Sequence, residues 1–197
     1  PATAEEIYWL ERLLDPAERI NSQWWARAQR AIASLSGEQR LGLELRHAEP
    51  IRWAAANKSE WLRASRAELL TIAEKRLEGR RTHRRRSYSA QDELKTTERL
   101  EDAAADMVWA DVLAMLVIDE ALRTPSLAQS LAEQVRLDRA DRTTEYGGII
   151  EATELQPEPF RAALYPPRAR TRSGDRRFVA SEDMMEASDR ALAHYHL

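Results

Sequence analysis

Apolar residues recur every three to four positions through residues 1–138, a spacing that places them on one face of successive α-helices. Helix-start signals separate these stretches. Thr3 with Glu6 forms a capping-box pattern, and Asp15 followed by Pro16 marks the start of a second helix. The stripe that follows consists of Ile20, Trp24, Ala28, Ala31 and Leu35. The pattern therefore predicts a series of amphipathic helices.

Further helices are predicted from the same spacing. One is expected to end at about Ala48, ahead of Pro50, and residues 57–77 are expected to form a single helix. Residues 89–122 are predicted to form the central helix of the fold, because the second half of this segment is apolar on nearly all sides. A shorter amphipathic helix is expected over residues 124–137, where it begins with a Thr-Pro pair.

The pattern changes after residue 138. Two glycines followed by two isoleucines predict a short strand over residues 145–151. Residues 177–180 and 191–197 are also expected to be strands. A helix is expected between them, with Ser181 as its N-cap.

Residues 79–89 are rich in arginine and show no apolar periodicity, which predicts a linker. Such a cluster could also bind the phosphates of a nucleic acid, but a solvated linker is the favoured interpretation. The fold is therefore predicted to be mostly α. A multi-helix domain over residues 1–138, with the linker inside it, is followed by a small and incomplete α+β segment over residues 139–197.

The composition narrows the class of protein. The chain is 43% hydrophobic and 32% charged with a net charge of −3, which is typical of a soluble globular protein and argues against nucleic-acid binding over its whole surface. The absence of cysteine excludes disulfides and thiolate metal ligands, and it favours a cytoplasmic location. No apolar run approaches the ~18 residues of a membrane span, so no membrane partner is expected.

Candidate chemistry is concentrated in the last segment. His194 and His196 are two positions apart on a predicted strand, so both imidazoles would project from one face and could bind one metal ion. The alternative is a pair of solvated histidines. Glu145 stands at the edge of the glycine-containing strand, where the alternative is an ordinary loop glutamate.

Together these residues form a longer pattern: Glu-x-Gly-Gly and two aliphatic residues, then short strands and a helix, then His-x-His. This pattern resembles the JAMM-type (JAB/MPN) zinc metallopeptidases, whose motif is a glutamate in a Glu-x-Gly-like strand, a later His-x-His and a Ser-x-x-Asp beyond it. The resemblance implies that His194 and His196 are zinc ligands and that Glu145 is the general base that deprotonates zinc-bound water. It also implies a peptide or isopeptide substrate, for example in a ubiquitin-like protein.

The resemblance covers only residues 138–197. Tyr195 stands where family members usually have Ser or Thr, and Leu197 stands where they usually have Pro. The sequence also ends before a Ser-x-x-Asp. We therefore expect this chain to be part of a longer hydrolase, inactive on its own, in which the helical region recognises a substrate or partner. The alternative is a non-catalytic helical module for protein–protein interaction.

The tryptophans are expected to anchor the helical core. Trp24 and Trp25 are adjacent, and adjacent side chains on a helix diverge by ~100°, so both cannot face one core. One of them is predicted to mark a partner surface or a domain junction.

Overall fold

The computed structural model describes residues 3–197 except 16, 18, 79–83, 87–94, 98–99, 154–157, 168, 173 and 175–177. Over these residues the fold is mostly α-helical, with a small three-stranded antiparallel sheet near the end of the chain. This architecture confirms the predicted fold class. No helix among the described residues is long and apolar enough to cross a membrane.

The helices are α1 (Ala4–Leu14), α2 (Arg19–Ala33), α3 (Ala48–Asn57), α4 (Ser59–Arg63), α5 (Arg66–Leu77), α6 (Leu100–Ala104), α7 (Trp109–Leu122), α8 (Pro125–Ala140) and α9 (Glu182–Ala187). The strands are β1 (Arg84–Arg86), β2 (Lys95–Thr97), β3 (Gly147–Ala152), β4 (Phe160–Leu164) and β5 (Ala191–His196). β1 and β2 form an antiparallel pair, and the three-stranded sheet has the order β4-β3-β5.

The prediction of one helix over residues 57–77 is wrong, because α4 and α5 are separate. Ser65 begins α5 as its N-cap: its hydroxyl accepts a hydrogen bond from the Glu68 backbone N–H, and the Glu68 carboxylate accepts one from the Ser65 backbone N–H at 2.7 Å. This reciprocal cap makes a new helix start more favourable than continuation of the previous helix.

The long helix predicted over residues 89–122 is also wrong. Lys95–Thr97 is a strand, and the helical part is divided into α6 and α7; residues 89–94 lie outside the described residues. Asp111 fixes the start of α7 by accepting a hydrogen bond from the Val108 backbone N–H at 2.9 Å. The central position of α7 itself is confirmed, since its buried residues are Trp109, Ala110, Val112, Leu113, Leu116, Val117 and Ala121.

The helix expected to end at Ala48 is replaced by α3, which begins there. Pro50 lies in the first turn of α3, where the missing backbone N–H would have no partner within the helix. The predicted stripe is confirmed for its described side chains, because Trp24, Ala28 and Ala31 of α2 are buried, as is Leu35 just beyond the end of this helix.

The sheet was predicted in part. The strand over 145–151 and the strand over 191–197 are confirmed as β3 and β5, and Ser181 caps α9 by accepting a hydrogen bond from Met184 N at 3.2 Å. Residues 178–180 form no strand, so that prediction is wrong where the structure describes it. β4 was not predicted because prolines flank it closely, but an edge strand tolerates proline at its ends.

Helices and sheet share a hydrophobic core. The Trp53 ring in α3 contacts the Phe160 ring in β4, with centroids 5.1 Å apart, and Ile150 and Leu192 belong to the same buried cluster as the centre of α7. The boundary proposed at residue 138 stays a prediction. Arg84–Arg86, within the predicted linker, form β1.

A second, smaller cluster surrounds Trp24. This indole is buried against Ala28 and Ala48, and its Nε1 donates a hydrogen bond to the buried Glu49 carboxylate at 2.5 Å. Trp25 stacks on it at 6.0 Å and is only half-buried. The two indoles therefore differ in exposure, and the assignment of one to a partner surface stays a prediction.

Candidate functional site

The candidate site lies where β3 begins and β5 ends. In the antiparallel pairing of these strands, Gly147 is opposite His196 and Ile149 is opposite His194. Because side chains alternate along a strand, the two histidines project from the same face of β5. Both are exposed, whereas the intervening Tyr195 packs against the core on the other face.

A bulge sets this orientation. Ile150 pairs with Ala193 but Glu151 pairs with Ala191, so Leu192 is an extra residue in the register. Leu192 is buried in the core, as its side chain would not be if the alternation ran unbroken back from the histidines. The bulge therefore lets β5 bury Leu192 and still present both histidines on its exposed face.

Glu145 and His196 are brought together although they are 51 residues apart. Glu145 Oε1 lies 3.0 Å from His196 Nδ1, and the Glu145 side chain is only 16% exposed. The backbone of Tyr146, which follows Glu145, is held at both of its polar groups, since Tyr146 N–H donates to Asp138 Oδ1 and Leu197 N–H donates to the Tyr146 carbonyl, each at 2.9 Å. When Nδ1 of His196 carries the proton, it donates to Glu145 and leaves the Nε2 lone pair for another ligand.

His194 completes the set of residues that the sequence selected. Partial desolvation of its ring lowers the pKa of His194, which favours the neutral imidazole that binds metals. His194 lies on the same face as His196, one side-chain repeat further into the sheet. Among the described residues, however, no three His, Asp or Glu side chains are grouped closely enough to hold a metal ion by themselves.

An aromatic ring outside the motif, that of Phe178, lies against His196. The Phe178 ring is nearly parallel to the His196 imidazole, with an interplanar angle of 11° and a centroid distance of 6.3 Å. Sequence reasoning missed Phe178, because it assigned this residue to a strand. Its aromatic character just before the predicted N-cap Ser181 is the signal that could have indicated a contact.

Tyr195 is a second residue that sequence reasoning missed. Its hydroxyl donates a hydrogen bond to the Gln134 side-chain oxygen in α8, and Gln134 Nε2 donates to the Ala162 carbonyl in β4 at 3.2 Å. Burial raises the pKa of Tyr195 to about 12, although the hydrogen bond with Gln134 acts in the opposite direction. Tyr195 therefore anchors the strand that carries the histidines to α8.

The arginine cluster contributes nothing to this geometry in the described part of the chain. Residues 79–83 lie outside the described residues, and Arg84–Arg86 are known as a strand paired with β2. The nucleic-acid alternative for this cluster stays a prediction.

No family model, curated protein or solved structure matches this chain. The functional interpretation therefore depends on the geometry of the β3–β5 pair.

Proposed function

We propose that this chain is part of a zinc-dependent peptidase or isopeptidase of the JAMM type. The observation that supports this best is the 3.0 Å contact between Glu145 and His196, which pairs the glutamate of one motif with a histidine of the other across neighbouring strands. An ordinary loop glutamate and a solvated histidine, 51 residues apart in the sequence, would not be expected to be in contact. The helical region is proposed to recognise the protein substrate.

The two imidazoles of His194 and His196 are compatible with zinc. Zinc accepts neutral imidazole nitrogens, and catalytic zinc sites use three protein ligands and leave one position open. His194 and His196 would supply two of the three ligands, and the third is proposed to come from a Ser-x-x-Asp in residues that follow Leu197 in a longer protein. When bound at such a site, zinc lowers the pKa of a coordinated water to about 7.

Glu145 would then have two roles at this site. A carboxylate accepts hydrogen bonds through two oxygens, so the contact with His196 occupies one oxygen of Glu145 and leaves the second to take a proton from the attacking water. The same proton can pass to the leaving amine as the peptide C–N bond breaks. The contact with His196 also orients that imidazole, as carboxylates commonly do for metal-ligating histidines.

The experiment uses the longer protein, obtained by reading the source gene past the codon for Leu197. We expect a Ser-x-x-Asp in that extension and about one zinc ion per purified chain. His194→Ala and His196→Ala should each abolish zinc binding, whereas His83→Ala is the matched histidine control and should retain it. Glu145→Gln should retain zinc but lower hydrolysis of ubiquitin-like isopeptide substrates by about 10²- to 10⁴-fold. A stop codon after Leu197, or zinc content unchanged by both histidine substitutions, would contradict the proposal.

The second candidate function is a helical interaction module, and one observation favours it. A cleft of about 800 Å³ opens between the turn after α2, the α4–α5 corner and the start of α7. Leu35 and Trp109 are buried beside it, while Leu41 on its rim is 67% exposed. Zinc content separates the two functions: a longer protein that binds no zinc, but loses a protein partner on Leu41→Glu substitution, would be an interaction module.

A further inference from the structure

We propose that Phe178 is a positioning residue for His196. The Phe178 ring packs against the face of the His196 imidazole, and Glu145 binds the edge of the same imidazole. This inference takes its functional meaning from the proposed zinc site, but the contact can be tested without metal. Phe178 belongs neither to the Glu-x-Gly-Gly motif nor to the His-x-His motif.

The two contacts to His196 restrict different motions. Near-parallel stacking at 11° and 6.3 Å, which lies within the range of favourable offset aromatic pairs, opposes tilting of the imidazole. The hydrogen bond from Nδ1 to Glu145 at 3.0 Å lies in the ring plane and opposes rotation about the Cβ–Cγ bond. An exposed histidine with neither contact would exchange freely between rotamers, and His196 is 67% exposed.

Gly147 provides an independent sign that the Phe178 ring belongs at this position. A Cβ atom built on Gly147 would lie 2.6 Å from Phe178 Cε2, 2.7 Å from Phe178 Cζ and 2.7 Å from the backbone carbonyl oxygen of Tyr195, closer than these atoms can pack. Gly147 is directly opposite His196 in the sheet, where a side chain would normally contact its cross-strand partner. The Phe178 ring therefore occupies the space of the missing side chain and packs against His196 in its place.

The position of Phe178 is itself supported by the next element. Three residues later, Ser181 caps α9, whose Met184 is buried. Gly147 and Phe178 together therefore orient the His196 imidazole before a ligand binds. A pre-oriented ligand loses less rotamer freedom on metal binding, and removal of such supporting contacts typically weakens metal affinity 10- to 100-fold.

The experiment compares Phe178→Leu, which keeps an apolar side chain but removes the ring, with Phe178→Tyr, which keeps the ring. In the metal-free chain, NMR of the imidazole protons should show that Phe178→Leu changes the His196 resonances, because the ring-current contribution is lost. Phe178→Tyr should restore them, and His194 is the internal control.

The second measurement is the affinity of the longer protein for zinc alone. We expect Phe178→Leu to bind zinc at least about 10-fold more weakly than wild type, and Phe178→Tyr to bind as wild type does. His196 resonances that do not respond to Phe178→Leu would overturn the proposal, as would Phe178→Tyr behaving like Phe178→Leu. Failure of the wild-type protein to bind zinc would instead overturn the proposed function, and the metal-free NMR comparison would still decide the role of Phe178.

Discussion

The side chains of His194, Tyr195 and His196 alternate between the two faces of β5 and therefore have different surroundings. Both histidines are exposed, and His196 contacts Glu145 and Phe178, whereas Tyr195 is packed against α8. The proposed ligand binding by the histidines and the anchoring of the strand by Tyr195 therefore belong to different side chains of one short segment. Substitutions at the histidines should change what the site binds, and substitutions at Tyr195 should change how firmly β5 is held.

Tyr195→Phe is expected to lower the free energy of unfolding by about 1–3 kcal/mol, because it leaves the side-chain oxygen of buried Gln134 without its hydrogen-bond donor. Urea denaturation followed by circular dichroism measures this change. Tyr8→Phe, which removes a solvent-exposed hydroxyl that hydrogen-bonds with Arg12 at a side chain that is 52% exposed, is the control and should change stability by less than about 0.5 kcal/mol. Equal effects of the two substitutions would show that the Tyr195 hydroxyl does not anchor the strand.

At this scale the sequence was informative only where chemistry and spacing coincide. Glu145, His194 and His196 could be selected because each is a reactive residue at a motif position. Phe178 and Gln134 could not, because their roles arise from contacts across the fold; Gln134 and Tyr195 are 61 residues apart. A phenylalanine before a helix and a glutamine within one have no local pattern that indicates such partners.

At the scale of elements, the close approach of β3 to its neighbours depends on its glycines. A Cβ atom on Gly148 would lie 2.7 Å from the Tyr195 hydroxyl and closer still to the Ala163 carbonyl of β4. Gly148→Ala should therefore destabilise the protein by about 1–3 kcal/mol, because either β4 or Tyr195 must move. Gly37→Ala is the control, since no atom lies within 4 Å of its built Cβ, and urea denaturation compares the two. A neutral effect of Gly148→Ala would mean that β3 and β4 are not this close.

The start of α7 should make stability depend on acid pH. Burial acts to raise the pKa of Asp111, but hydrogen bonds from Val108 N–H and His47 and the charge of Arg46 outweigh it and lower the pKa below the ordinary 3.8. A carboxylate with a lowered pKa in the folded state stabilises the protein above its unfolded-state pKa. This contribution is expected to be present above pH 3.8 and to be lost as the pH falls through the lowered folded-state value.

Urea denaturation of wild type and Asp111→Asn at several pH values measures this contribution. The substitution should lower stability at pH 7 by about 1–3 kcal/mol and should remove part of the acid dependence, because charged hydrogen bonds are lost. Asp106→Asn, at an exposed aspartate near the same helix start, should leave both properties unchanged. Parallel pH profiles for wild type and Asp111→Asn would contradict the assignment.

Elements were predictable where apolar periodicity decides them or where a cap precedes an apolar stretch, as Ser181 does before α9, and unpredictable where a cap interrupts such a stretch. The α2 stripe and α8 follow from apolar spacing, and β3 follows from its two isoleucines. The break before α5 depends on the reciprocal hydrogen bonds of Ser65 and Glu68, and the start of α7 depends on Asp111. These side chains would be equally acceptable on the surface of an uninterrupted helix, so the longer helices were the simpler prediction.

At the scale of the whole molecule, the candidate site lies on the outer face of a sheet whose inner face completes the helical core. Phe160 and Trp53 join β4 to α3, and Leu192 joins β5 to the cluster around α7. The sequence predicted two domains with a boundary at residue 138 because the hydrophobic period changes there. A change of period marks a change of element type, but it gives no information on whether the two element types share one core.

This shared core leads to a prediction about cooperativity. Phe160→Ala, at a side chain that is 3% exposed, should lower the free energy of unfolding by about 3–5 kcal/mol, because it removes a buried aromatic ring from the contact between helices and sheet. Leu137→Ala, at a side chain that is 46% exposed, is the control and should cost less than about 0.5 kcal/mol. Helix loss followed by circular dichroism and sheet loss followed by NMR of β3 amides should coincide in urea, for wild type and for Phe160→Ala. If the sheet amides are lost well before the helices, the helical region folds independently, as the sequence predicted, and the histidine face depends on a separate domain. Coincident transitions would mean instead that destabilising any part of the helical core also removes the geometry of Glu145 and His196.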